Sequence, residues 1–179
     1  MNDLSLTRLW LMRGAFLLLT LVILFFHLLP LDTTPSRWAG PDILLCFALA
    51  WSLRRPEYVP PLVLALAFLC TDLLLQRPPG LWAMLALIGC ENLKSRGRSL
   101  RDSNFAAEWI AAGLIIIGIS IGYRIILALV LVDLPSLTLS LSELGTTLLI
   151  YPAVVAVTHF LMGVRKAAPG DLDALGQRV

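Results

Sequence analysis

Three apolar runs, roughly residues 10 to 31, 105 to 132 and 144 to 164, constrain this chain more than any other feature of its sequence. At about 1.5 Å per residue, each is long enough as a helix to cross a hydrocarbon core of ~30 Å. Backbone groups in lipid have no water to bond, so a crossing run must satisfy them internally as a helix. Composition agrees: of 179 residues, 58% are hydrophobic and 15% charged, too apolar and too weakly charged for a soluble domain of ordinary make-up. No basic tract with interleaved aromatics suggests nucleic acid.

Three shorter apolar runs, about 38 to 53, 59 to 75 and 80 to 93, need their own explanation. Either each completes a span with interfacial residues and local thinning of the bilayer, or it is buried in protein or re-entrant. Charge placement favours six crossings. With a cytoplasmic amino terminus, Arg8, Arg13, Arg54, Arg55, Lys94, Arg96, Arg98, Arg101, Arg165, Lys166 and Arg178 all fall inside, Arg37 and Arg77 outside, and Arg124 within the membrane, as the positive-inside rule expects. The reading is an all-α integral membrane protein of six transmembrane helices, both termini cytoplasmic: a domain over 1–166 and a cytosolic tail over 167–179. In "GPDILLCFALAWSLRRPEYVPP", Arg54 and Arg55 are then a cytoplasmic stop, and Pro41 and Asp42 a helix entry. The first run exceeds a signal-peptide core and lacks an A-x-A-like site, so an uncleaved anchor is expected.

The chain holds no H-E-x-x-H, G-x-x-x-x-G-K-[ST] or C-x-x-C motif, and it reads as non-enzymatic, without cofactor or metal. Cys46, Cys70 and Cys90 lie in three different runs and read as small buried hydrophobes. His27 is expected to be solvated near an interface, and His159 to make an interhelical hydrogen bond, with proton handling as the other reading.

Traced by helix direction, Asp42, Asp72 and Arg124 share the outer depth of the bundle. An intramembrane charge is usually paired or faces a cavity, so they are expected to form a polar cluster that binds a partner or supports the fold. The alternative is that Asp72 and Arg124 each snorkel to the outer headgroups. On the inner side, Glu91, Glu108 and His159 read as interfacial groups in water. "GISIG", Gly118 to Gly122, permits close helix approach within the bundle or in a homodimer. Pro152, after Tyr151 in "LLIYPAVV", removes a donor, frees the carbonyl of Leu148 and predicts a kink. The basic stretch "LKSRGRSLRD", with Lys94, Arg96, Arg98 and Arg101, is the candidate cytosolic contact; binding of anionic lipid is its simpler role.

These pieces, in order, carry a resemblance. "RWAGPDILLCFALAWSLRRPEYVPP", the acid of "FLCTDLLLQRPPGLWAM", the basic "ENLKSRGRSLRD" and the late "LLIYP" resemble MreD, the rod shape-determining family of bacteria, over about 160 residues. The glycine that family often places ahead of the acid is absent from "LCTD", and the tail after Arg165 lies outside the matched pattern. The resemblance implies a six-helix arrangement similar to the substrate-binding components of energy-coupling-factor transporters. It also implies a scaffold of the peptidoglycan-elongation machinery, located in the bacterial inner membrane, that binds MreC and connects, directly or through it, to MreB, RodA and a class B penicillin-binding protein. Asp42, Asp72, Tyr151 and Pro152 are the positions that match the family's motifs. The other function class left open is a small-molecule-binding subunit of such a transporter.

Overall fold

The structure, a computed structural model, describes residues 2–29, 39–101, 104–160 and 162–164, without the side chains of residues 2–5, 98 and 101. The tail, Arg37, Arg165, Lys166 and Arg178 lie outside the described residues, as do the side chains of Arg98 and Arg101. Six α-helices make up the described chain: α1 Asn2–Leu28, α2 Ile43–Arg54, α3 Pro61–Leu74, α4 Leu81–Arg101, α5 Phe105–Leu129 and α6 Leu137–Phe160, with a 3-10 turn at Pro56–Tyr58 between α2 and α3. Three of them, α1, α5 and α6, are long and apolar enough to cross a membrane.

The short helix α2 is the centre. Eleven of its twelve residues are buried, all but Ile43, as befits a helix apolar on every side. It packs on α4 and α6, while α3 packs on α4, α4 on α5, and α1 crosses the 3-10 turn, α3 and α2. Twelve residues reach only about 18 Å, but a helix walled in by protein need not match a bilayer's thickness. Burial among other helices is therefore what its brevity means. The shell is apolar outward: Leu18 and Leu21 of α1, Leu62 and Leu73 of α3, Leu114 of α5 and Leu149 of α6 are all exposed.

Local chemistry sets the helix ends. Asp42 caps α2, its Oδ1 accepting from the Leu45 amide at 2.9 Å. Pro56 follows Arg55 and cannot continue a helix. Pro61 opens α3, where its missing donor is harmless. Helices α3 and α5 both end in a six-to-one backbone bond around a residue in the left-handed region: Gln76 (φ 54°), with Arg77 N to Asp72 O at 3.0 Å, and Leu131 (φ 58°), with Val132 N to Leu127 O at 3.1 Å.

Two helices outrun their apolar segments. The basic stretch from Lys94 to Arg101 is the second half of α4 and not a loop. Its residues are mostly good helix formers without proline, and Cys90, Leu93 and Leu100 carry the core-facing stripe onward. Helix α6 starts at Leu137, ahead of the expected 144, because Ser142 and Thr146 bond back to carbonyls of their own helix and Ser140 accepts from Arg124 of α5, so these residues lower the hydropathy without breaking the backbone. Helix α6 runs unbroken through Pro152. The carbonyl of Leu148 that Pro152 leaves free accepts from Trp109 Nε1 of α5 at 3.1 Å.

Close approach of α4 and α5 rests on a glycine outside the G-x-x-x-G pair. A Cβ on Gly89 would stand 2.8 Å from Ile115 and from Ile119. A Cβ on Gly122 would meet only Leu85, at 3.4 Å, and one on Gly118 would meet no side chain or neighbouring helix within 4 Å.

Candidate functional site

Alternating helix directions gather polar residues at two ends of the bundle, named here for Asp42 and Arg54. At the Asp42 end, Asp42 is fully used. Its Oδ1 caps α2, its Oδ2 accepts from Trp82 Nε1 of α4 at 3.1 Å, and its amide donates to Thr147 Oγ1 of α6 at 2.9 Å. One residue thus joins three helices. Thr147 passes its own hydroxyl hydrogen to the Glu143 carbonyl at 2.6 Å, and its carbonyl accepts from Cys46 at 3.5 Å.

Asp72 is completely buried, and its Oδ2 accepts from the Ala83 amide at 3.1 Å. It caps the first turn of α4 from the neighbouring helix, where free amides and the helix dipole favour a carboxylate. Arg124 donates to the Pro135 carbonyl at 3.0 Å and to Ser140 Oγ at 2.6 Å, fastening the α5–α6 connection. The expected cluster of Asp42, Asp72 and Arg124 is therefore not assembled: each has separate partners, and no ion pair joins any two of them among the described residues. Backbone amides and hydroxyls compete successfully for these charges, a competition that helix depth does not report.

Another cation at this end is Arg77. Its guanidinium lies 5.0 Å from the centre of the Trp82 ring and 3.7 Å from Glu143 Oε1 of α6. Trp82 in turn meets Tyr123 edge-on at 5.1 Å. Beside this group lies a cavity of about 410 Å³ between the last turns of α1 and the start of α2. Its walls are mainly apolar, with Arg77, Glu143, Asp42, Thr71 and His27 among its lining residues.

At the Arg54 end, Arg54 is not a solvated stop. It is 8% exposed and grips Glu108, itself 1% exposed, through Nε and Nη2 to Oε1 at 3.3 and 3.2 Å and Nη2 to Oε2 at 3.4 Å. Glu108 is accordingly no interfacial group in water. Its place in the first turn of α5 favours a negative charge as well. Lys94 turns inward to Glu91 at 2.7 Å and to the Val59 carbonyl at 2.6 Å, while Arg96 is exposed. Arg13 of α1 donates to the Glu57 carbonyl at 3.2 Å, and Arg55 pairs with the Glu57 carboxylate at 3.5 Å. Several cations of this end thus hold the 3-10 turn.

Tyr151 is fully buried, and its hydroxyl finds no hydrogen-bond partner among the described residues. Among the described residues His159 makes no interhelical hydrogen bond; its ring meets Phe160 edge-on at 4.9 Å. Cys46 and Cys90 are buried, but Cys70 is exposed, and all three are free. Among the described residues, no three His, Cys, Asp or Glu side chains group as metal ligands would.

Sequence reasoning missed Glu143, Trp82 and Thr147 as partners. Glu143 and Thr147 belong to the turns of α6 where serines and threonines dilute the apolar signal, and indole donors carry no charge pattern to follow. Compared with family models, curated proteins and solved structures, the chain matches none.

Proposed function

We propose that this chain is a non-enzymatic scaffold in the inner membrane of a bacterium, belonging to the cell-wall elongation machinery. In this reading all six helices cross the membrane with both termini inside. The observation that carries it is the ordered resemblance to MreD, from the Pro-Asp entry of α2 through the acid of α3 to the Tyr-Pro of α6. Two further features support it. Asp42, Asp72, Arg54 and Glu108 are all committed to bonds between neighbouring elements, which suits a rigid body that presents apolar faces to partner helices. Arg13, Arg54, Arg55, Lys94 and Arg96 lie at one end of the bundle, in keeping with a cytoplasmic side there.

The partner this reading names is MreC, with MreB, RodA and a class B penicillin-binding protein reached through it or directly. Purification from native membranes in mild detergent, followed by mass spectrometry, tests it. Recovery of a single-pass wall-synthesis protein in stoichiometric amount is the expected result. Recovery of an ATPase pair instead would replace the scaffold with a transporter subunit, the second reading, which the cavity near Arg77 favours.

A further inference from the structure

We propose that the cavity beside Arg77 is a lipid-binding site that takes one acyl chain of a phospholipid whose headgroup is zwitterionic, with a phosphate and a primary ammonium. Size is the first argument. At the roughly 30 Å³ that a water-sized group occupies, 410 Å³ holds about fourteen methylene groups. Its walls suit such a chain: Val22, Ile23 and Phe26 of α1 face Ile43, Leu44 and Leu75 across it.

Charge is the second argument. Arg77 and Glu143 lie on the same cavity, yet their closest approach is 3.7 Å and no hydrogen bond joins them. Arg77 keeps N–H groups for a phosphate, and Glu143 keeps carboxylate lone pairs for an ammonium. Asp42 does not compete, since both its oxygens already accept from Leu45 and Trp82. A purely anionic headgroup would leave Glu143 beside a phosphate, and a simple cation would leave Arg77 without a partner. A zwitterion answers both. Position is the third argument: the cavity lies at the ends of α1 and α3, where headgroups meet a bilayer protein, and Trp82 behind Arg77 is a residue type that favours this level.

This inference rests on the chain lying in a bilayer and not on the identity of its protein partners, so the two readings fail separately. The test uses the full chain, purified in dodecyl maltoside and stripped of lipid. Dioleoyl phosphatidylethanolamine is then added and compared with dioleoyl phosphatidylglycerol and with soluble phosphoethanolamine, the melting temperature being read in each case. Stabilisation by the ethanolamine lipid well beyond the glycerol lipid, with none from phosphoethanolamine, is expected. Val22→Trp, which fills the cavity from the partly exposed face of α1, is expected to abolish that difference while leaving the lipid-free melting temperature and helicity unchanged. Arg77→Gln and Glu143→Gln are expected to reduce it several-fold. Equal stabilisation by both lipids, or a difference that survives Val22→Trp, would mean lipid around the belt of the protein and overturn the site. Stabilisation by phosphoethanolamine alone would overturn the chain-binding role.

Discussion

Arg54 and Glu108 show how one buried contact redefines a residue. A guanidinium next to Arg55 and Pro56 reads as a stop at the membrane surface, yet it is drawn under the bundle by a carboxylate fifty-four positions away. Such a pair contributes little net stability, because desolvation offsets attraction, but breaking it leaves one charge buried and alone. Glu108→Ala is therefore expected to destabilise the protein by about 3 to 5 kcal/mol, read as an earlier midpoint in denaturant titration from micelles. The double variant Arg54→Met with Glu108→Leu is expected to recover most of that loss. A single variant as stable as the parent would show that the pair is solvated.

Within elements, the clearest coupling joins α5 to α6. Pro152 cannot donate to the Leu148 carbonyl, and the Trp109 indole supplies the missing hydrogen. In the parent, Trp109→Phe is expected to cost about 1 kcal/mol, the ordinary value of such a bond, somewhat discounted because Trp109 is partly exposed. With Pro152→Ala the backbone N–H returns at position 152, and the same tryptophan change is expected to cost only its packing. A double-mutant cycle measures the difference. Equal costs in both backgrounds would mean that the indole and the proline act independently. The proline itself was legible in the sequence, down to the carbonyl it frees. Its compensating donor was not, because nothing in one helix's sequence names the neighbour that faces it.

At the scale of the molecule, three long apolar helices pack with shorter ones, and α2 is enclosed on nearly every side. If all six cross, Gln76 and Leu131 face outward from one end, and Glu57 and Arg96 from the other. Single cysteines at these positions, in a background without Cys46, Cys70 and Cys90, check this with a membrane-impermeant maleimide on intact cells. Gln76→Cys and Leu131→Cys are expected to react directly, and Glu57→Cys and Arg96→Cys only after permeabilisation. Labelling of Gln76→Cys and Arg96→Cys from the same side would mean that α4 does not cross.

What this sequence determined by itself was the apolar, membrane-like character of the chain and the number of helices, because apolar content and run length are sums over local residues. It also determined the cap at Asp42 and the orphan carbonyl at Leu148, which follow from neighbours within four positions. Only the tertiary structure decided that α2 is the core, that Gly89 and not the G-x-x-x-G pair lets α4 and α5 touch, and that Arg77 meets Glu143 while Arg124 stays apart from Asp72. In an apolar bundle many helix pairings bury similar surface, and polar partners are chosen by contacts that no local pattern encodes.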